Sequence, residues 1–144
     1  FGEELMIHNT DQAILNSCEK YNCSVKDYTV APIFIDTKSG GHQWFIEFAK
    51  KPSDLNLFMK EIDNQIKQLN SDYESKRNHD LILKFPELIV IENNEFHLWL
   101  KENQRLGGQH KIPRLTENRE IAEKILSIKT SFQQKPLLTK NNYN

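Results

Sequence analysis

Two runs rich in β-branched and aromatic residues, joined by a glycine-containing turn, constrain the fold of this chain more than any other feature. The runs cover residues 28–36 and 43–49, and residues 37–41 (TKSGG) lie between them. Glycine accepts positive φ angles at no steric cost, so this arrangement predicts a β-hairpin. In the second run, Trp44 and Phe45 face opposite sides of the strand. We therefore expect both faces of the hairpin to be at least partly covered.

A long apolar stripe follows the hairpin and begins after Pro52-Ser53. Its members are three and four residues apart, which is the spacing of one face of an α-helix. They are Leu55, Phe58, Ile62, Ile66, Leu69 and Tyr73. The polar residues on the other side include Lys60, Glu61 and Lys67, and we interpret them as a solvated face. The stripe therefore predicts one long amphipathic helix.

Weaker patterns predict the remaining elements. Residues 2–8 favour a short strand, and Asn9 has the spacing of a helix cap. Residues 88–91 favour a short buried strand, and residues 96–100 indicate another helix. Thr116 is a candidate cap for a last helix.

The predicted order of elements is β-α-β-β-α-β-α-loop-α. Helices that alternate with a small, mostly antiparallel sheet make a two-layer α+β sandwich, with the helices packed on the sheet. A length of 144 residues fits one domain with one core. We expect residues 1–132 to form this domain and residues 133–144 to be a polar, loosely held tail.

The charge balance excludes several classes of function. The chain carries 19 basic and 20 acidic residues, for a net charge of -1, whereas binders of nucleic acid or membrane surfaces usually have a basic excess. No apolar run is long enough to span a bilayer, and no signal peptide is visible. We therefore expect a cytoplasmic protein that binds neither nucleic acid nor membranes. Because residue 1 is Phe, we also expect the chain to belong to a longer protein.

The cysteines and histidines do not have the spacing of metal ligands. Cys18 and Cys23 are five residues apart and would not share a face of a helix. No second pair completes a zinc site, and the five histidines are scattered. We expect reduced thiols and no metal.

One stretch, residues 103–116, has the composition of a phosphate-contacting loop. It holds three formal positive charges and no acid, whereas the rest of the chain is balanced. Gly107 and Gly108 free the backbone ahead of Lys111, and Pro113 restricts the residue before it to extended conformations. We therefore expect a mobile loop that presents a cation from a stiff base. An ordinary surface loop is the alternative, and the spacing of a Walker-type phosphate loop is absent.

Residues 106–115 (LGGQHKIPRL) resemble the closing motif of the Gretchen Hagen 3 acyl acid-amido synthetases, the auxin-responsive promoter family, in its bacterial form. Four further segments resemble the same family in the same order. They are residues 1–5 (FGEEL), 28–32 (YTVAP), 44–48 (WFIEF) and 69–73 (LNSDY). The resemblance runs from Phe1 to about Leu126.

The resemblance implies roles for particular residues. Members of the family belong to the acyl-adenylate-forming enzymes, in which a small C-terminal domain rotates and supplies one catalytic lysine, here Lys111. The implied nucleotide- or phosphate-contacting loop also contains Gly107, Gly108, Gln109, His110 and Arg114. For Arg114, holding the loop and contacting a phosphate remain equally open. Gly2, Glu3 and Glu4 would lie in the hinge between the two domains.

The implied function is that of one part of an ATP-dependent ligase. The full-length enzyme would adenylate a carboxylic acid and transfer the acyl group to an amine such as an amino acid. Mg-dependent ATP would be bound mainly by the N-terminal adenylation domain of the same chain, so we expect this chain alone to be inactive. The main alternative is a non-catalytic α+β module that binds a ligand or a protein. An RNA-binding module is disfavoured by the near-neutral charge and by the adjacent glycines.

Overall fold

The computed structural model of the protein describes residues 5–108 and 111–142, the last nine of them (134–142) by backbone alone. Three strands and five α-helices are present in these ranges, with one 3₁₀ turn. In chain order they are α1 (Ile7–Tyr21), β1 (Ser24–Phe34), β2 (Gly40–Lys50), α2 (Leu55–Leu69), α3 (Ser71–Arg77), the 3₁₀ turn (Asn78–Asp80), β3 (Glu87–Val90), α4 (Glu95–Arg105) and α5 (Glu120–Asn142).

The predicted hairpin forms two strands of a three-stranded sheet with the order β1-β2-β3. The first two strands are antiparallel, and Val30 is paired with Trp44. The turn lies two residues earlier than predicted, at residues 35–39, because Gly40 already pairs with Phe34. β3 runs parallel to β2. The sheet is therefore mixed, and it remains mostly antiparallel, as predicted, because the parallel pairing is the shorter one.

Both faces of the sheet are covered, as the alternation in β2 predicted. A first core cluster contains Trp44 and Ile46 together with residues of α1 and α2, such as Ile14 and Ile62. A second core cluster contains Phe45 on the opposite face, together with residues of α4 and α5. The α+β class is confirmed, and the second cluster adds a helical layer to the two layers predicted.

The N-terminal segment corrects one prediction. Ile7 and His8 belong to α1, not to a strand, and the helix begins two residues before the predicted cap. The Asn9 side chain still has a capping role, because its Oδ1 accepts a hydrogen bond from the Met6 N–H at 3.2 Å. Asn9 is itself buried, at 2% exposure, so this polar contact is made inside the protein.

The single long helix predicted from Leu55 to Tyr73 is in fact two helices. Asn70 has an extended backbone, with φ -146° and ψ 105°, and its side chain accepts a hydrogen bond from the Tyr73 N–H at 3.0 Å. Asn70, the residue that follows α2, is therefore the N-cap of α3, which begins at Ser71. The polar face of α2 is also less solvated than predicted, because Glu61 is buried and pairs with Lys20 at 2.9 Å.

The last helix starts later and extends further than predicted. Glu120 is its first residue, and the Asn118 side chain accepts a hydrogen bond from the Glu120 N–H at 3.0 Å. Thr116 is therefore not its cap. The helical backbone continues to Asn142, through most of the segment predicted as a polar tail.

No helix in the described ranges combines the length and apolar character that crossing a bilayer requires.

Candidate functional site

The two glycines before the predicted catalytic lysine terminate α4. Gly107 has a φ of +81°, a left-handed conformation that strains residues with a Cβ atom. The Gly107 N–H donates to the Gln104 carbonyl at 2.9 Å, and the Gly108 N–H donates to the Asn103 carbonyl at 2.7 Å. These are the two hydrogen bonds of a Schellman motif, the common end of an α-helix. The glycines therefore have a defined structural role in addition to the mobility expected of them.

Residues 112–116, which we call the docked segment, bind along the free edge of β1. The Val30 N–H donates to the Arg114 carbonyl at 2.9 Å, and the Thr116 N–H donates to the Val30 carbonyl at 3.0 Å. The Thr29 hydroxyl donates to the Pro113 carbonyl at 2.6 Å. Leu115 forms a parallel bridge with Val30, so the segment behaves as a very short additional strand.

Burial of one side chain adds to these hydrogen bonds. Ile112 is 5% exposed and belongs to the second core cluster, next to residues of α4 and α5. Covering an isoleucine side chain contributes about 1.5–3 kcal/mol relative to leaving it in water. The residue directly after Lys111 is therefore tied to the core, in agreement with the predicted stiff base.

The Arg114 side chain joins the docked segment to α1. Its Nη1 lies 3.1 Å from Asp11 Oδ2, and the Tyr28 hydroxyl donates to the other oxygen of the same carboxylate. The Tyr28 hydroxyl also lies 2.8 Å from the Thr10 hydroxyl, and its ring stacks on Trp44 with centroids 5.8 Å apart. Asp11 thus bridges the docked segment to the first core cluster, and Arg114 is engaged in holding the segment.

The surroundings of Tyr28 keep its phenol protonated. Burial and the hydrogen bond to the Asp11 carboxylate raise the pKa of Tyr28 above its ordinary value. The phenol therefore remains protonated at neutral pH and continues to donate to Asp11.

Lys111 differs from Arg114 in its contacts, although both side chains are exposed. Its ammonium group has no ion-pair or hydrogen-bond partner among the residues that the structure describes. It lies at a groove of about 510 Å³ that is lined by Ile7, Asp27, Leu100 and residues 111–115. A long flexible side chain in this position can reach an anion outside the domain.

Asp27 introduces a negative charge into the same groove. Burial raises the pKa of its carboxyl above the ordinary value, although the Tyr28 N–H donates to it at 2.9 Å and the Arg114 charge opposes the shift. A carboxylate here would repel a phosphate chain lying along the groove floor. The geometry therefore suits the approach of one anionic group to Lys111 better than it suits a complete nucleotide site.

A second groove opens on the other side of Pro113, between α4 and α5. It is lined by Trp99, Asn103, Gly108, Pro113, Glu120, Ile121 and Lys124. The docked segment therefore separates two surface grooves. Within the ranges that the structure covers, no group of three or more His, Cys, Asp or Glu side chains is placed to hold a metal ion.

The predicted site residues are only partly brought together. Gly107, Gly108, Lys111 and Arg114 follow one another along the chain, with the helix cap at one end and the docked segment at the other. Gln109 and His110 lie outside the described residues, as do the predicted hinge residues Gly2, Glu3 and Glu4.

Sequence reasoning missed Asp11, Tyr28 and Thr29 as residues that hold the site. Tyr28 and Thr29 were noticed as part of a strand and of a family-like segment, but without this role. Asp11 and Arg114 are 103 residues apart, so no local spacing relates them. Asp11 lies one turn after the start of α1, and a polar residue at such a position is too common to predict a contact with the site.

These features define an α+β domain that presents an exposed lysine beside a segment fixed to the edge of its sheet. Residues 8–120 match the family model described as the GH3 family C-terminal domain. Because the match covers most of the chain, the chain belongs to the GH3 family as a C-terminal domain. A search of curated protein sequences found no significant match.

Similar solved structures carry the same family designation. AtGH3.15 acyl acid amido synthetase in complex with 2,4-DB matches with a TM-score of 0.63 and 18% sequence identity. A structure described as GH3.15 acyl acid amido synthetase matches with a TM-score of 0.62 and 20% identity. Each match covers 83% of this chain and 23% of the other chain. At this identity the likeness shows the fold, and the chain spans about a quarter of the length of the solved structures.

Proposed function

We propose that this chain is the C-terminal domain of an ATP-dependent acyl acid-amido synthetase and that Lys111 is its catalytic residue. The full-length enzyme would adenylate a carboxylic acid and then transfer the acyl group to an amine such as an amino acid. The observation that carries the proposal is the position of Lys111 beside the docked segment, where it is exposed and has no partner among the described residues. Membership of the GH3 family supports the reaction class. The bacterial form of the family and a cytoplasmic location are further parts of the proposal.

The chemistry of adenylation explains why a lysine is useful at this position. A carboxylate attacks the α-phosphorus of ATP while pyrophosphate leaves, so two anions must approach each other. Negative charge on the phosphoryl oxygens and on the carboxylate is stabilised by a compact cation placed between them. The Lys111 ammonium group is such a cation, and its stem is long enough to extend beyond the domain surface.

Arg114 has a supporting role in this proposal. Its guanidinium is paired with Asp11, and its backbone carbonyl accepts the hydrogen bond from Val30. Withdrawing Arg114 to bind a phosphate would leave Asp11 with only its Tyr28 contact. We therefore assign Arg114 to positioning the docked segment, three residues after the lysine.

In this groove the described residues offer one unpaired cation, Lys111, and not a complete nucleotide site. Asp27 lines the same groove as Lys111 and opposes the binding of a polyphosphate there. This fits a nucleotide that is held with Mg²⁺ mainly by an N-terminal adenylation domain and is contacted by Lys111 from outside. The chain alone is therefore expected to be catalytically inactive.

The test is ATP–pyrophosphate exchange on the full-length protein with a panel of carboxylic acids. Wild type should show acid-dependent exchange, and Lys111→Ala should lower its rate on the order of a hundred- to a thousandfold. Lys101→Ala is the matched control, because Lys101 is an exposed lysine on α4 outside the docked segment. It should exchange at the wild-type rate.

The second half-reaction separates a role in adenylation from a general loss of function. With pre-made acyl adenylate and an amine, Lys111→Ala should form the amide at close to the wild-type rate. Equal losses in both half-reactions would contradict a lysine that acts only in adenylation. A folded full-length protein that binds ATP but exchanges with no acid would favour the non-catalytic binding module.

A further inference from the structure

The two cysteines meet at the end of α1, although their spacing in the sequence suggested otherwise. Asn22 follows the helix in a left-handed conformation, with φ 50° and ψ 53°. This reverses the chain, and the Cys23 N–H donates to the Cys18 carbonyl at 3.1 Å. The hydrogen bond spans six residues and is typical of a Schellman motif, in which these two positions contact each other through their side chains.

The two side chains are held close together. Both are partly buried against the first core cluster, and each thiol affects the pKa of the other. The pair is thus held from two directions, by the backbone hydrogen bond and by packing against the core. Closeness of the two cysteines is the main requirement for a disulfide.

We propose that Cys18 and Cys23 form a modification site, at which a hydroperoxide converts the dithiol into an intradomain disulfide. In the first step, the Cys18 thiolate attacks hydrogen peroxide, the O–O bond breaks, and a sulfenic acid and hydroxide form. In the second step, the Cys23 sulfur attacks the sulfenyl sulfur, the S–S bond forms, and the S–O bond breaks. The hydroxyl group leaves with the Cys23 proton as water, so the dithiol loses two electrons and the peroxide becomes two molecules of water.

The surroundings assign different roles to the two thiols. Burial raises the pKa of Cys18, and the hydrogen bond from Cys23 opposes that rise. Burial and the contact with Cys18 raise the pKa of Cys23 to about 12. Cys18 is therefore the thiol that ionises first and reacts with peroxide, whereas Cys23 keeps its proton until it resolves the sulfenic acid. High pKa values also make the first step slow compared with that of a dedicated peroxide sensor.

A peptide map tests the proposal on the protein that carries this chain. Trypsin cleaves after Lys20, between the two cysteines, and after Lys26. A Cys18–Cys23 disulfide therefore links two peptides that otherwise separate, and reduction separates them again. The dilute protein is treated with hydrogen peroxide, remaining thiols are alkylated in denaturant at acidic pH, and the linked pair is quantified by mass spectrometry.

A matched variant keeps both thiols and changes only their placement. Ser24 is the exposed residue next to Cys23 at the start of β1, where successive side chains point to opposite faces. Cys23→Ser combined with Ser24→Cys preserves the composition and the tryptic sites. Circular dichroism and a thermal melt establish that this variant is folded.

We expect the linked pair to form in wild type at least about tenfold more than in the rearranged variant, because only the native placement holds the thiols in contact. Cys18→Ser should leave Cys23 unoxidised at the same peroxide concentration. Equal linkage in wild type and in the rearranged variant would overturn the proposal. So would oxidation of Cys18 in wild type to the sulfinic acid without linkage to Cys23.

Discussion

The buried ion pair between Asp63 of α2 and Arg77 of α3 gives the most direct test of what stabilises the helices packed on the first core cluster. Both side chains are nearly inaccessible, with exposures of 3% and 6%. Arg77 donates twice to the carboxylate, from Nε at 2.8 Å and from Nη2 at 2.6 Å. The Tyr73 hydroxyl adds a third hydrogen bond at 2.6 Å, and Arg77 Nη1 also donates to the Leu83 carbonyl at 3.1 Å. The carboxylate of α2 therefore organises α3 and the connection to β3.

Asp63→Asn keeps the shape of the side chain and removes its charge. One carboxylate oxygen becomes an NH₂ group facing a guanidinium, so a buried cation loses its main partner. Removing one member of a buried ion pair typically costs about 3–5 kcal/mol. Typical unfolding entropies are about 2 cal/mol/K per residue, so we expect the melting temperature of a domain of this size to fall by on the order of 10–15 °C.

The assay is urea denaturation followed by circular dichroism at pH 7, with a thermal melt as a second measurement. Asp72→Asn is the matched control, because it makes the same chemical change one helix later. The Asp72 carboxylate is 60% exposed and pairs with Lys76 at 3.2 Å, so its loss should cost less than about 1 kcal/mol. Similar losses in the two variants would refute the view that the buried pair organises this layer.

Substitutions at three further positions test the site and the opposite face of the sheet. Gly107→Ala should lower the free energy of unfolding by about 1–2 kcal/mol in urea titrations because of its positive φ, and Gly107→Asn should lower it less. Thr29→Val removes the donor to the Pro113 carbonyl, so we expect a loss of about 0.5–1.5 kcal/mol and faster amide hydrogen exchange in the docked segment. Glu95 is fully buried beside Lys129 at 2.8 Å; burial alone would raise its pKa, but hydrogen bonds from Lys129 and from backbone N–H groups lower it. Its stabilisation is therefore present above about pH 4.3 and lost as the pH falls through the folded-state pKa, so the stability difference from Glu95→Gln should shrink in acid.

Periodic patterns in the sequence correctly predicted the elements in which buried side chains recur at the regular spacing of a strand or a helix. In β2, Trp44 and Phe45 were placed on opposite faces, and they do lie in different core clusters. Along α2, the positions of Phe58, Ile62 and Ile66 were predicted as buried, and each has 0% exposure. Periodicity succeeds at these positions because burial on one face is a property of the element itself.

The errors occur where a distant or very local contact decides the outcome. Asn70 ends one helix and starts the next by capping it, although the apolar stripe continues in register to Tyr73. Thr116 has the residue type of a helix cap, but β1 offers it a partner in the Val30 carbonyl. At Asn22, a single left-handed residue brings together two cysteines that a continued helix would separate. None of these three contacts produces a periodic pattern in the sequence.

The sequence indicated the basic charge of the candidate site but not the contacts that hold it. The basic stretch around Lys111 and its resemblance to a family motif indicated the lysine as a candidate from residues that are adjacent in the chain. The network of Arg114, Asp11 and Tyr28 depends on contacts across the fold, with no spacing that a single sequence reveals. The candidate loop was therefore visible in the sequence, whereas the contacts that hold its base were not.

The docked segment also determines how Lys111 can be moved. Lys111 directly precedes Ile112, which is buried in the second core cluster, and the residues that follow are hydrogen-bonded to β1. Its backbone is therefore held to the core of the domain on that side. If the proposed function is correct, the ammonium charge approaches and leaves the reacting anions mainly through movement of the whole domain, while its position within the domain is preserved. A cation that is already oriented requires little reorganisation when the transition state forms, which is the condition under which electrostatic stabilisation is most effective.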